Sequence, residues 1–350
     1  MAPTEYTIYR GAEGMIKQET TELPALGPKE ILVKITHSGV CGTDVAYMPY
    51  GIALGHEGVG IVEAIGSEVT QLKVGDRAGG GFHRDSCGHC HYCLSGQDIW
   101  CYERSVFGEK DYNNGTFGEY YVGVETYPHK IPEGLSSEDA APLQCAGATT
   151  YSALVDVLKP GERVGIVGIG GLGHLAIQFA SKLGAQVVVF STSRNKEEEA
   201  KQLGASEFYL LDELEKVQKP VQVLVIAGSR YPDWSKFMVK DILARAGTIV
   251  PLSAPHGDLV LPYSSHYKFA STIADWSIQF FPSLVRWYNL HLSLVASRGR
   301  HVEMLEFAAS KCVKPWVEKF ELSERGVREA IGKLNSNQMR YRAVLVARDA

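Results

Sequence analysis

Arg163-Val-Gly-Ile-Val-Gly168-Ile-Gly170-Gly171-Leu172-Gly173-His174-Leu-Ala-Ile-Gln-Phe-Ala-Ser-Lys-Leu-Gly184 decides how the chain is read. It opens as a short apolar run suited to a strand buried on both faces. It then passes through glycines spaced G-x-G-x-x-G and continues with apolar positions at helical spacing. A second strand run follows at 186–191. Strand, glycine turn, helix and strand in this order are what dinucleotide binding requires. The stretch Gly168, Gly170, Gly171, Leu172 and Gly173 would let the backbone approach a pyrophosphate, at a helix N-terminus with free N–H groups and a positive dipole end. Further strands are predicted at 207–211, 221–227, 247–253 and 290–296, mostly with helices between them. The predicted fold class is therefore α/β, with a doubly wound parallel sheet of six strands.

The end of the second strand tests which dinucleotide. An NAD site carries an acid there, about 20 residues past the glycines, to bond the ribose 2′-hydroxyl. This chain has Ser191, Thr192, Ser193, Arg194, Asn195 and Lys196 instead. Hydroxyls and two cations suit a 2′-phosphate, and a missing carboxylate removes the repulsion that would exclude it. NADP is the expected cofactor. The competing reading makes Arg194 and Lys196 a solvated helix start, paired with the acids at 197–199.

Upstream the character changes. Runs at 6–9, 31–35, 59–65 and 122–124 are short and β-rich, with turn signals between them. Among them lies Gly39-Val-Cys41-Gly-Thr43-Asp44, followed after ten residues by Gly55-His56-Glu57. A thiolate and an imidazole begin a metal site, although such a pair taken alone is as readily a pair of packed core residues. Cys145, in Leu-Gln-Cys-Ala-Gly, is the candidate third ligand. Two cysteines and one histidine leave a tetrahedral zinc ion one open position, where a substrate oxygen would sit. Cys87, Cys90, Cys93 and Cys101 can close a second tetrahedron with no vacancy, which is a structural zinc site. A pair of disulfides is the alternative, disfavoured by the absence of an apolar h-region near the N-terminus. His89 and His91 are surplus to that set and expected to face solvent, and Cys312 is expected to be a small buried hydrophobe.

The totals agree with a two-domain enzyme. The chain has 350 residues, 45% hydrophobic and 21% charged, with a net charge of -5. That length exceeds what one core usually serves, and the acidic balance argues against nucleic acid. No apolar run suggests a membrane span, and the expected location is cytoplasmic.

With Gly39-Val-Cys-Gly-Thr-Asp44, Gly55-His-Glu57, the four-cysteine lobe, Cys145-Ala-Gly147 and the glycine loop in this order, the chain resembles the zinc-dependent medium-chain alcohol dehydrogenases. Through Ser191-Thr-Ser193 and Asn337-Gln-Met-Arg-Tyr-Arg342 it is most similar to their cinnamyl-alcohol-dehydrogenase-like, NADP-using branch. The likeness covers nearly the whole chain. It implies a GroES-like catalytic domain from 1–150 and 298–350, with the zinc lobe at about 87–101, and a Rossmann domain at 151–297. It also implies that Cys41, His56 and Cys145 hold a catalytic zinc, with Glu57 an occasional alternative ligand and Asp44 orienting the His56 ring. Thr43 would bond the substrate oxygen, Thr149 would touch the nicotinamide and Arg340 would meet the pyrophosphate. His174 is expected on the helix surface.

The implied reaction is hydride transfer between NADP(H) and an alcohol, aldehyde or ketone, with zinc polarising the oxygen. A polyol or secondary-alcohol dehydrogenase, or a reductase of a conjugated double bond, is the alternative within the family. A non-catalytic zinc and nucleotide binder is the alternative outside it. A small-molecule substrate and a homodimer or homotetramer are the expected partners. Three departures stand out. Ala46 occupies the position where the family often has a proton-relay histidine. The loop 45–54 is short and would leave an open pocket. The segment 263–290 carries Tyr267, Phe269, Trp276, Phe280, Phe281, Trp287 and Tyr288, expected to pack on the sheet or at an interface, or alternatively to wall the pocket.

Overall fold

The computed structural model describes residues 4–12, 14–234, 237, 242–253 and 288–350. The chain divides into two units, Met1–Ala148 with Leu294–Ala350, and Thr149–Ser293.

The second unit is built on a six-stranded sheet. Arg163–Val167 lies inside it, flanked on one side by Gln186–Ser191 and then Glu207–Leu210, and on the other by Val221–Ile226, Leu243–Pro251 and Asn289–Leu290. All neighbours pair in parallel. Every residue of Arg163–Val167 is buried, the reason its sequence runs apolar rather than alternating. The strand order reverses between Arg163–Val167 and Val221–Ile226, the switch point where sheets of this kind bind ligands beyond their carboxyl ends. Phe190, Leu224, Phe237 and Ile249 belong to the core packed on this sheet.

Two strands differ from expectation. The fifth begins at Leu243 rather than 247 and passes Ala246 at a left-handed φ of 60°. The last is only Asn289–Leu290, where a strand over 290–296 was expected. Past it the backbone is irregular, and Val295 has φ 42°, which is incompatible with extended strand geometry at that residue. Of the aromatic segment, Tyr288 packs against the core of this unit, while Tyr267, Phe269, Trp276, Phe280, Phe281 and Trp287 lie outside the described residues.

The first unit is β-rich. Its seven-stranded sheet runs Val317–Glu321, Arg342–Val346, Glu30–Val40, Glu57–Ile65, Arg77–Gly81 and His129–Lys130, with Tyr120–Val124 also paired to Glu30–Val40. The strand near the chain's end lies antiparallel beside Glu30–Val40, with Ala343 opposite Val40. The alternation read at 6–9 belongs to Glu5–Ala12, which pairs with Met15–Glu22. Leu54, Phe107, Phe117, Val327 and Leu345 fill the core between these elements. Cys312 is exposed rather than buried. It ends the helix Arg298–Lys311 at φ 54°, in the left-handed position that usually falls to glycine or asparagine.

Candidate active site

Three backbone devices bring the candidate ligands together. Cys41 follows directly on Glu30–Val40 and forms the N-cap of the short helix Gly42–Tyr47. His56 precedes the neighbouring strand Glu57–Ile65. Cys145 sits in a π-helical turn, Leu143–Gly147, a wider turn that is often found at functional sites. One ligand atom each from Cys41, His56, Glu57 and Cys145 lie within 4.8 Å of one another.

Asp44 organises this group. It is fully buried, and its carboxylate accepts the Cys41 N–H at 2.9 Å and the Gly55 N–H at 2.9 Å. It lies 3.0 Å from His56 Nδ1. One side chain therefore fixes the backbone at both early ligands and orients the imidazole. The ring lies tilted over Phe107 and edge-on to Phe82, with centroids at 4.8 and 5.9 Å. With Nδ1 turned to Asp44, Nε2 points inward, buried and without a hydrogen-bond partner among the described residues. A buried polar atom left in that state is costly, and a metal ion would satisfy it.

Electrostatics fit the same reading. The neighbouring Cys145 thiol, with His56 and Arg342, holds Cys41 well below the usual thiol range against the opposing effect of burial. Cys145 is pushed up, first by Cys41 and then by burial. Burial disfavours charge on His56, but Asp44 and Cys41 outweigh it and raise its pKa. Protons thus occupy the place a dication would take, and metal binding would release them.

Glu57 is buried against Arg342, whose Nη2 lies 2.5 Å from both carboxylate oxygens. Burial still pushes Glu57 up to about 7. Gly39 makes room for that carboxylate: a Cβ there would meet Glu57 Oε2 at 1.9 Å. Thr43 Oγ1 lies 3.7 Å from Cys41 Sγ, and Ala46 is exposed on the same helix. The segment after it continues through Met48–Tyr50 and closes on Gly11, where a Cβ would meet the Met48 carbonyl oxygen at 2.4 Å.

The four-cysteine lobe holds four free thiols. The Sγ separations are 3.5 Å for Cys87 and Cys101, 3.6 Å for Cys90 and Cys93, and 3.9 Å for Cys87 and Cys93. A disulfide needs about 2 Å, whereas Zn–S bonds of about 2.3 Å place sulfurs about 3.8 Å apart at tetrahedral angles. Backbone N–H groups of Cys90 and Glu103 donate to Cys87 and Cys101 Sγ at 3.3 Å each. His89 and His91 are exposed, as expected.

In the second unit the three fingerprint glycines divide the work. Gly168 turns at φ 92°, and a Cβ there would meet Gly228 Cα at 2.7 Å. At Gly173 a Cβ would meet the Gly168 carbonyl oxygen at 2.0 Å, while at Gly170 nothing lies within 4 Å. These are the requirements of a tight turn, of close helix packing and of open backbone for a pyrophosphate. His174, expected on the surface, is fully buried. Its Nδ1 lies 3.1 Å from the Gly170 carbonyl oxygen, which ties the turn to the helix.

Ser191, Thr192 and Ser193 follow at the strand end, with Ser193 N–H donating to Ser191 Oγ at 3.4 Å. Arg194 is paired with Glu197 at 2.8 Å and Glu213 at 2.5 Å. Lys196 Nζ donates to the Ile169 carbonyl at 2.9 Å. Both cations have protein partners, part of what the solvated-helix reading anticipated, although Lys196 turns toward the glycine loop rather than toward the acids. Thr149 is half-buried on Ala148–Val157. Arg340 is exposed, with its guanidinium 5.7 Å from the Tyr341 ring centre.

Arg342 and Gln144 carry no signal in the sequence. Arg342 sits in an apolar strand run, and nothing local marks its partner. Gln144 adjoins a candidate ligand, but a single amide carries no spacing signal.

A cluster of candidate sulfur and nitrogen ligands in a GroES-like unit, with a nucleotide-type sheet in the same chain, is the pattern of a zinc-dependent medium-chain dehydrogenase, and the chain belongs to the zinc alcohol dehydrogenase family. Residues 27–133 match the alcohol dehydrogenase GroES-like domain and residues 171–283 match the zinc-binding dehydrogenase domain. The probable formaldehyde dehydrogenase AdhA of Bacillus subtilis is 35% identical over 355 residues, covering 95% of each chain. The NADP-dependent alcohol dehydrogenase C 1 of Mycolicibacterium smegmatis is 32% identical over 359 residues, covering 97% of this chain and 96% of its own. A solved cinnamyl alcohol dehydrogenase from Sorghum bicolor matches with a TM-score of 0.86 at 26% identity, covering 98% of this chain and 97% of that one.

Proposed function

We propose that this protein is an NADP(H)-dependent zinc alcohol dehydrogenase working as an aldehyde or ketone reductase, with a catalytic zinc on Cys41, His56 and Cys145 and a second zinc on Cys87, Cys90, Cys93 and Cys101. The observation that carries it is the convergence of Cys41, His56, Glu57 and Cys145 within 4.8 Å, all but Cys41 buried, with His56 Nε2 unpartnered among the described residues. The metal would supply Lewis-acid polarisation of a substrate oxygen, and the nicotinamide the hydride.

The chain's own groups do the rest. Asp44 takes the Nδ1 proton as a hydrogen-bond acceptor and leaves the Nε2 lone pair for the metal. Cys41 and Cys145, once deprotonated, balance a dication. Arg342 compensates Glu57, keeping that charge from weakening the electrophile. Thr43, next to Cys41, is placed to bond a substrate oxygen and pass on its proton. Ala46 offers no group to receive that proton, so this chain would rely on solvent rather than a side chain at that position to take it. Thr149 and Arg340 are assigned to nicotinamide and pyrophosphate. The hydroxyls of Ser191, Thr192 and Ser193, with Arg194 and Lys196 drawn from their present partners, would meet the 2′-phosphate. The NADP-dependent relative supports that choice.

Self-association is proposed through the sheet edge at Asn289–Leu290. Leu290 in that strand and Leu292 just past it are 48% and 63% exposed, and exposed apolar edges invite pairing. Light scattering gives the state directly.

The deciding experiment measures NADPH against NADH oxidation with one aromatic and one short aliphatic aldehyde at matched concentrations. Faster turnover with NADPH is the expected result. A preference for NADH overturns the cofactor assignment, and no turnover in protein holding both zinc ions overturns the reductase.

A further inference from the structure

Cys145 sits in a π-helical turn, and the residue before it is held from three sides. Gln144 is 1% exposed. Its Nε2 donates to the Ala140 carbonyl at 3.0 Å, which identifies the amide nitrogen and leaves Oε1 as an acceptor. Oε1 lies 3.0 Å from His301 Nε2, so that imidazole nitrogen carries the proton. On the third side Gly79 packs against the amide, where a Cβ would meet Gln144 Cδ at 3.0 Å. A π turn departs from the i→i+4 register of an α-helix and is rare outside functional sites, and an anchored side chain within it fixes where the next residue points.

His301 is itself fixed. It is buried, its ring lies against that of His129 with centroids 4.2 Å apart, and it belongs to the first turn of Arg298–Lys311. That helix is anchored by Asp98, which accepts the Arg298 backbone N–H at 3.1 Å and also its Nε–H. Asp98 lies between Cys93 and Cys101 of the four-cysteine lobe.

We propose that His301 is a positioning residue for the catalytic metal: by hydrogen-bonding Gln144 it holds the π turn so that the Cys145 thiolate faces Cys41 and His56. The chain of contacts starts in the four-cysteine lobe, through Asp98 and the helix it anchors, so the lobe supports the placement of a catalytic ligand. This rests on the reading that Cys41, His56 and Cys145 bind zinc.

The test uses the full-length zinc protein with His301→Leu and His301→Gln, since glutamine keeps an N–H donor near the Nε2 position. The readouts are the rate and affinity with which a chelator removes each zinc equivalent, and the thiolate-to-metal absorption of the cobalt-substituted protein. In H301L the catalytic equivalent should bind roughly 10-fold more weakly, at the low end of what outer contacts of metal ligands contribute. The lobe's equivalent should stay in place, and H301Q should return toward the parent. Unchanged metal affinity and absorption in folded H301L overturns the proposal, as does H301Q behaving like H301L. If Cys41→Ala in an otherwise unaltered chain loses no metal, the zinc reading itself fails, whatever His301 does.

Discussion

Each ligand depends on a particular neighbour, and the tests follow from that. Cys41→Ala or His56→Ala should abolish turnover and lower the metal content by one equivalent per chain while NADPH binding persists. Metal analysis together with nucleotide fluorescence checks both halves. Asp44 serves the Cys41 and Gly55 N–H groups and the His56 ring at once, so Asp44→Ala should weaken metal binding about 10- to 100-fold, visible in chelator competition. At Ala46 the expectation is a small response: Ala46→His should leave the pH dependence of hydride transfer nearly unchanged, because a proton already reaches water without a side-chain acceptor. A large shift in a single-turnover pH profile would show that the relay had been limiting.

Among the elements, the glycine turn allows the clearest contrast. Gly173→Ala places a methyl 2.0 Å from the Gly168 carbonyl oxygen, backbone against side chain with nothing flexible to yield. It should cost about 1–3 kcal/mol of stability along with NADPH affinity. Gly170→Ala meets nothing within 4 Å, so the melting temperature should hold while KM for NADPH rises, since the methyl fills space expected for the pyrophosphate. Differential scanning fluorimetry and steady-state kinetics separate the two. The elements themselves were legible where period and turn chemistry were strong, as in the buried run 163–167, the glycine turn and the alternation at 6–9. The last sheet strand is shorter than its sequence suggests: 290–296 alternates leucines with His291 and Ser293 as a half-buried strand would, yet Val295 takes a left-handed φ of 42° that no propensity reveals. His174 differs from expectation for a similar reason: a polar residue one step past the turn reads as solvent-facing, whereas its ring lies buried against the Gly170 carbonyl.

At the scale of the molecule, buried histidines link stability to pH. Burial pushes His83 and His129 down to about 4 and holds His301 well below the usual imidazole range. Asp98, Arg298 and Arg104 face His83, with the Asp85 backbone, and His129 and His301 feel their imidazole neighbours. An unfolded histidine titrates near ~6.5, so between that pH and about 4 the unfolded chain binds protons that the folded one refuses. Stability is therefore fully present above the upper limit and falls as pH drops through the window, by about 1.4 kcal/mol per pH unit for each histidine. Denaturant midpoints measured across that range should fall accordingly, and His83→Phe should flatten the slope. No helix among the described residues is long and apolar enough to cross a membrane.

The sequence by itself pointed to the candidate ligands Cys41 and His56, the four-cysteine lobe, the nucleotide turn and the alternation of strand and helix, because each is written in spacings of a few to some fifteen residues. Only the tertiary structure decided what surrounds them. Arg342 meets Glu57 across 285 residues, Arg298 meets Asp98 across 200, and His301 meets Gln144 across 157. Pairs so far apart have no periodicity to betray them, since sheet register and helix docking bring them together. Burial then makes each partner obligatory, because a lone charge or amide in that interior would be too costly to keep.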